Sequence, residues 1–104
     1  MILSVEGTLQ LDCRTRRLRL LGRTEILSPS ESRLLACLLR ERGRALDRMH
    51  ITRKTCGRDW VYGDRTVDVL VSRLRLRLRG GPVKIVSVHG VGYMLADEAD
   101  HDAP

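Results

Sequence analysis

The spacing of apolar residues changes period twice along this 104-residue chain. Ile2–Glu6, Thr8–Asp12, Arg17–Leu21 and Thr24–Leu27 are brief apolar or alternating runs, punctuated by Gly7, the 12–16 stretch and Gly22. That is the pattern of short strands separated by turns. In Arg17-Leu18-Arg19-Leu20 the alternation places leucines on one face and arginines on the other. The first quarter therefore predicts a small antiparallel meander with one wet face.

At Ser28 the period lengthens. Ser28-Pro29-Ser30-Glu31 combines an N-cap serine, a proline at the first helical position and a glutamate three residues on, a capping box. Leu34, Leu35, Leu38 and Leu39 recur at helical spacing and Gly43 stops the segment, predicting a helix from Pro29 to about Arg42. A shorter helix is expected from Asp47 to about Thr55, with Asp47 as cap and Met49 or Ile51 facing inward. Gly57 opens an irregular stretch through Trp60, Tyr62 and Gly63. Trp60 either folds back on a neighbouring helix or faces a partner.

A third helix is predicted from Asp64 to about Arg79, closed by Gly80-Gly81-Pro82. Val83–Val88 and Gly92–Leu95 then alternate as two strands joined at His89-Gly90-Val91. From Ala96 the chain is acidic and small, expected to fray. The domain is thus expected over residues 1–96 and a disordered tail over 97–104.

On a helical wheel at about 100° per residue, Val67, Leu70, Val71, Leu74 and Leu78 form a core stripe in the third helix. The opposite side collects Arg65, Thr66, Val69, Ser72, Arg73 and Leu76, with Arg75 and Arg77 on the flanks. A solvated helix normally balances such cations with glutamates at i,i+4. Here Asp68 stands alone among five arginines, a pattern suited to phosphate.

Charge over the whole chain points the same way. The net charge is +6, and setting aside the last eight residues leaves +10, with seventeen of nineteen cations arginine. Such a surface attracts polyanions, and the planar guanidinium suits phosphates and guanine edges. The runner-up expectation is a protein-interaction module that docks an acidic partner and binds DNA weakly.

Other chemistries find little support. No apolar run approaches the roughly 18 residues of a membrane span, and the first residues lack a signal peptide's basic start, so a cytoplasmic protein is expected. Cys13, Cys37 and Cys56 form no Cys-x-x-Cys pair, and His50, His89 and His101 are scattered. Their spacing yields neither a zinc motif nor a disulfide framework, and Cys37 falls at a core position. Neither a metal nor a cofactor is expected, nor a small-molecule substrate. Cys56 and His50, six residues apart, are the nearest approach to a nucleophile and its base, and the chain is expected not to be an enzyme.

Three helices followed by a β-hairpin is the order of a winged helix-turn-helix, an α+β fold whose third helix fits the major groove. At this level the chain resembles the OmpR/PhoB-type effector domains of two-component response regulators. The matching residues are Leu27-Ser28-Pro29-Ser30-Glu31 with Leu34-Leu35, Gly43 leading to Asp47-Arg48, and Asp64-Arg65-Thr66-Val67-Asp68-Val69. They continue with Arg73-Leu74-Arg75 and Val88-His89-Gly90-Val91-Gly92-Tyr93, and Gly7-Thr8-Leu9-Gln10-Leu11-Asp12 fits the opening sheet.

The resemblance implies a four-stranded N-terminal antiparallel sheet, a three-helix body and a C-terminal wing over 83–95. It implies that Val69 and Arg73 face base edges, the former against a thymine methyl, the latter most readily on guanine. His89 stands at the wing position where arginine is usual. Arg65, Thr66, Arg75 and Tyr93 are implied phosphate contacts, and the loop with Arg58, Asp59, Trp60 and Tyr62 matches the segment that meets RNA polymerase. Binding as tandem copies on direct repeats is implied too. Family regulators carry an N-terminal receiver domain with a phosphorylatable aspartate. The expectation is that these residues are an effector domain that sits behind one, the alternative being an atypical regulator without a receiver.

Overall fold

The computed structural model describes residues 1–98, and their order of elements follows from the change of period. β1 (Ile2–Val5), β2 (Leu9–Asp12), β3 (Arg17–Leu20) and β4 (Arg23–Ile26) form one antiparallel sheet in sequence order. Leu9 pairs with Leu20 and Leu11 with Leu18, so four leucines share one face, each no more than 1% exposed. Gln10 opposite Arg19 and Asp12 opposite Arg17 make the wet face.

α1 (Pro29–Arg40) starts with the expected capping box: the Glu31 N–H donates to Ser28 Oγ at 3.1 Å and the Ser28 N–H to Glu31 Oε1 at 2.8 Å. The helix ends two residues earlier than the pattern predicts. Glu41 is its C-cap, and the Gly43 N–H reaches across to the Leu95 carbonyl at 2.9 Å. α2 (Arg48–Cys56) is capped by Asp47, which accepts from the His50 N–H at 2.8 Å, and closes at Gly57 with φ +68°. Ile51 is its buried anchor, while Met49 is exposed.

α3 (Thr66–Arg77) is one turn shorter than expected. Arg65 rather than Asp64 occupies the cap position, although Asp64 Oδ1 still accepts from the Thr66 N–H at 3.1 Å. Val67, Leu70, Val71, Leu74 and Leu78 are all buried as the core stripe predicts.

The wing strands β6 (Val83–Val88) and β7 (Gly92–Asp97) are joined by β5 (Leu46–Asp47), a two-residue strand not foreseen from the pattern, in the order β5-β7-β6. β7 runs past Leu95: Asp97 pairs with Val83, and the Glu98 N–H donates to the Pro82 carbonyl at 3.0 Å. A fraying tail from Ala96 is thereby corrected for residues 96–98; the rest of that expectation, 99–104, lies outside the described residues.

The core is built mainly of leucine, and Cys37 sits in it as expected. Two fully buried threonines on α2, Thr52 and Thr55, carry hydroxyls without a hydrogen-bond partner among the described residues. A buried hydroxyl left unpaired costs stability. Thr52→Val, which keeps the shape and removes that hydroxyl, is expected to stabilise the domain by about 1 kcal/mol. Urea unfolding midpoints of the two proteins check this, and a lower midpoint for the valine variant would disprove it.

Candidate nucleic-acid interface

One side of α3 is closed by packing, so its function falls to what the other side shows. Arg65, Thr66, Val69, Ser72, Arg73 and Leu76 are exposed in one stripe, Val69 by 46% and Leu76 by 61%. Leu70, between them in sequence, belongs to the core stripe and is buried. Arg65, Thr66, Val69 and Arg73 border a shallow groove whose far wall is Ser28 and Ser30 at the start of α1.

The five arginines are not equivalent, which the wheel alone cannot reveal. Arg77 is neutralised from outside its helix, by Glu25 of β4 at 2.8 Å and by Glu31 of α1 at 3.4 Å. Arg23 Nη2 donates to the carbonyls of Arg77 and Arg79 at 3.2 and 3.0 Å, satisfying acceptors at the helix end. Arg75 turns to the wing, donating to the Ile85 carbonyl and to Ser87 Oγ, both at 3.1 Å. Arg65 is 80% exposed, 3.8 Å from Asp68. Arg73 has neither a hydrogen bond nor an ion pair among the described residues.

The wing is mounted on α3 by a polar hub. Asp68 accepts from Arg48 Nε and Nη2 at 3.1 and 2.9 Å and from the Tyr93 hydroxyl. The guanidinium groups of Arg48 and Arg75 lie over the Tyr93 ring, 5.1 and 5.8 Å from its centroid. α2, α3 and β7 thus meet at one carboxylate. Tyr93 is only 6% exposed with its hydroxyl engaged here, so an implied phosphate contact from it, or from Arg75, would need an exchange of partners.

Burial raises the Asp68 carboxyl, but hydrogen bonds from Arg48 and Tyr93 and the Arg48 charge outweigh this and hold it below its ordinary value. Glu31 is shifted the same way: burial opposes, while the Ser28 N–H and Arg77 prevail. A carboxylate with a depressed folded pKa stabilises above its unfolded pKa, and that contribution is lost as pH falls through the folded value. Stability is therefore expected to hold from neutral pH down to about 4 and to decline below it. Asp68→Asn should flatten that decline and cost about 2 kcal/mol near neutrality. Denaturation midpoints against pH test both statements; parallel profiles for the two proteins would refute Asp68 as a source.

Between α2 and α3 the loop is held by Asp64. Arg58 Nη1 lies 2.5 Å from Asp64 Oδ2 and its Nη2 donates to Thr66 Oγ1 at 3.1 Å, an arrangement that depresses the Asp64 carboxyl strongly. Asp59 pairs with Arg53 at 2.9 Å. The Trp60 indole N–H donates to the Asp64 carbonyl at 3.1 Å and the ring lines a cleft with Met49, Arg65 and Val91. Of the two placements open for Trp60, the fold takes the inward one. Tyr62, 97% exposed, is left as the loop's presented aromatic. At the wing tip His89 and Val91 are exposed beside Gly90, whose φ of +76° makes the turn.

His50, considered with Cys56 as nucleophile and base, hydrogen-bonds instead with Glu41 at 2.7 Å. No helix among the described residues is long and apolar enough to cross a membrane.

The family described as transcriptional regulatory protein, C terminal, matches residues 22–95. The chain is 37% identical over 81 residues to the transcriptional regulatory protein AruR of Pseudomonas aeruginosa, covering 75% of this chain and 33% of that protein. It is 38% identical over 91 residues to the phosphate regulon transcriptional regulatory protein PhoB of Rhizobium meliloti, covering 86% and 40%. It spans well under half the length of these curated relatives. The Klebsiella pneumoniae RstA DNA-binding domain, solved in complex with the RstA box, superposes with a TM-score of 0.78 at 32% identity, covering 91% of this chain and 96% of that one. With its basic helix mounted on a hairpin and a family match through both, this chain belongs to the OmpR/PhoB-type C-terminal domains of transcriptional regulatory proteins, winged-helix DNA-binding domains rather than enzymes.

Proposed function

We propose that this domain acts in transcription regulation by sequence-specific binding of double-stranded DNA, as the effector part of a response regulator in the cytoplasm. α3 lies in the major groove and the β6–β7 wing on the adjacent minor groove or backbone. The observation that carries this is Arg73, a guanidinium at mid-helix that is exposed and has no partner among the described residues. A long cation left unpaired beside an apolar Val69 suits a base edge better than water.

Val69 and Arg73 read base edges, and His89 extends the contact from the wing. Arg65 and Thr66 hold phosphates. Arg75 and Tyr93 first fix the angle between α3 and the wing, and each reaches phosphate by exchanging an internal partner. Contacts to phosphate set register and supply most of the affinity, and few residues carry the reading. The loop with Arg58, Asp59, Trp60 and Tyr62 meets RNA polymerase, with Tyr62 as its contact and the other three as its frame. Two copies bind in tandem on direct repeats.

Selection of bound duplexes from a random pool tests the proposal. The expected result is an enriched motif repeated at one helical turn, about 10 base pairs, whose affinity falls steeply with salt. Recovery of a pool without any enriched sequence would overturn sequence-specific reading. The exposure of Tyr62 favours one addition, docking to a protein partner. Tyr62→Ala is expected to lower activated transcription while leaving duplex affinity unchanged, and a matching loss of DNA binding would refute a separate contact.

A further inference from the structure

Cysteine and histidine spacing in the sequence gives no metal motif, yet the fold brings three donors of different kinds together. Cys37 and Glu41 lie at i,i+4 at the end of α1, which places them on one face. His50 stands in the first turn of α2, set by the Asp47 cap. One ligand atom from each, Cys37 Sγ, Glu41 carboxylate oxygen and His50 nitrogen, lies within 4.8 Å of both others. Glu41 Oε2 is 2.7 Å from His50 Nε2 and 3.9 Å from Cys37 Sγ.

We propose that Cys37, Glu41 and His50 form a binding site for a zinc-class divalent metal ion that bridges α1 and α2. Around zinc, bond lengths of about 2.0–2.3 Å in a tetrahedron set donors roughly 3.3–3.8 Å apart. The 3.9 Å separation nearly meets that range already, Cys37 Sγ and the His50 nitrogen lie within 4.8 Å, and the 2.7 Å contact opens by about 0.6 Å or more when a metal replaces the proton between His50 and Glu41. Thiolate, imidazole and carboxylate are all ordinary zinc donors, and the thiolate selects against magnesium and calcium.

The surroundings fit a three-donor site with an exchangeable fourth position. The donors line a half-open cavity of about 410 Å³ with Cys13, Ser32, Ala36 and Lys54. Water or a small ligand can complete the tetrahedron there. Arg44, 3.7 Å from Glu41 Oε1, steadies the carboxylate oxygen that faces away from His50. Arg40 and Lys54 add positive charge near the site, offset by the two negative charges that thiolate and carboxylate supply once the metal displaces the thiol proton. Peroxide sensing by this thiol is less well served. Burial and Glu41 push it up to about 11, so the free side chain is a protonated thiol rather than a reactive thiolate. Because α2 packs on α3 and supplies Arg48 to Asp68, a clamp here acts on the mounting of α3.

Cobalt(II) and zinc(II) titrated into the reduced, metal-free chain test the site. The expected result is a thiolate-to-cobalt charge-transfer band that saturates at one equivalent and is abolished by zinc. His50→Ala, at a half-exposed position, should fold normally and lose roughly tenfold or more in affinity. Cys37→Ser should abolish the charge-transfer band, and Glu41→Gln provides a second probe that leaves the core thiol in place. Cys13→Ala should change nothing. Absence of the band, equal zinc affinity in wild type and His50→Ala, or a band lost with Cys13 but kept without His50, would each overturn the proposal.

Discussion

Gly92→Ala is expected to destabilise the domain by about 3 kcal/mol. For a domain of this size that lowers the melting temperature by roughly 12–24 °C. The reason is distance, not backbone angle. A β-carbon at Gly92 would sit 2.2 Å from the Leu46 carbonyl oxygen and 3.1 Å from the Asp47 α-carbon. Both are backbone atoms and neither can rotate away, so β7 must part from β5. Asp47 is at once the strand partner of Gly92 and the cap of α2, and Tyr93, the next residue, carries the hub with Asp68. A local clash therefore spreads to the wing, to α2 and to α3. Gly90→Ala serves as the comparison: its φ is +76° but its surroundings are open, so only backbone strain of about 1 kcal/mol is expected. Thermal melts of the three proteins decide this. Wild-type behaviour for Gly92→Ala would show that the close approach is not required.

What the chain discloses in advance is what local periodicity governs. The α1 capping box, the leucine face of the meander, the core stripe of α3 and the wing turn all depend on neighbours within a few residues, and these appear in the structure close to where the pattern puts them. What is hidden depends on contacts far apart in sequence. Nothing near Leu46 announces a two-residue strand, because its partner Tyr93 is brought to it only by the fold. The solitary Asp68 gave a hint, as the one acid in an arginine-rich helix, but its partners Arg48 and Tyr93 lie on other elements. Arg77 reads on a wheel as part of a cationic flank, and only the packing of β4 and α1 shows it neutralised. Cys37, Glu41 and His50 follow the same logic, half visible as an i,i+4 pair and complete only when α2 crosses α1.

That sorting of the arginines yields the sharpest functional expectation. Arg73→Ala should cost about 1–3 kcal/mol of discrimination at one base pair, or roughly 5–150-fold, while changing affinity for unrelated duplexes much less. The melting temperature should stay near wild type, since the side chain is exposed and makes no hydrogen bond or ion pair among the described residues. Arg65→Ala provides the contrast. Its side chain is 80% exposed at the start of α3, and its removal should weaken binding to all sequences alike and reduce the salt slope by about one. Arg75→Ala differs again, because it loses the Ile85 carbonyl and Ser87 contacts and so should lower stability as well as affinity. Titrations of the three variants on the selected duplex and on single-base changes of it, at two salt concentrations, separate these outcomes. If Arg73→Ala weakens every duplex equally, its guanidinium holds phosphate, and base reading on α3 must fall to Val69 and its neighbours.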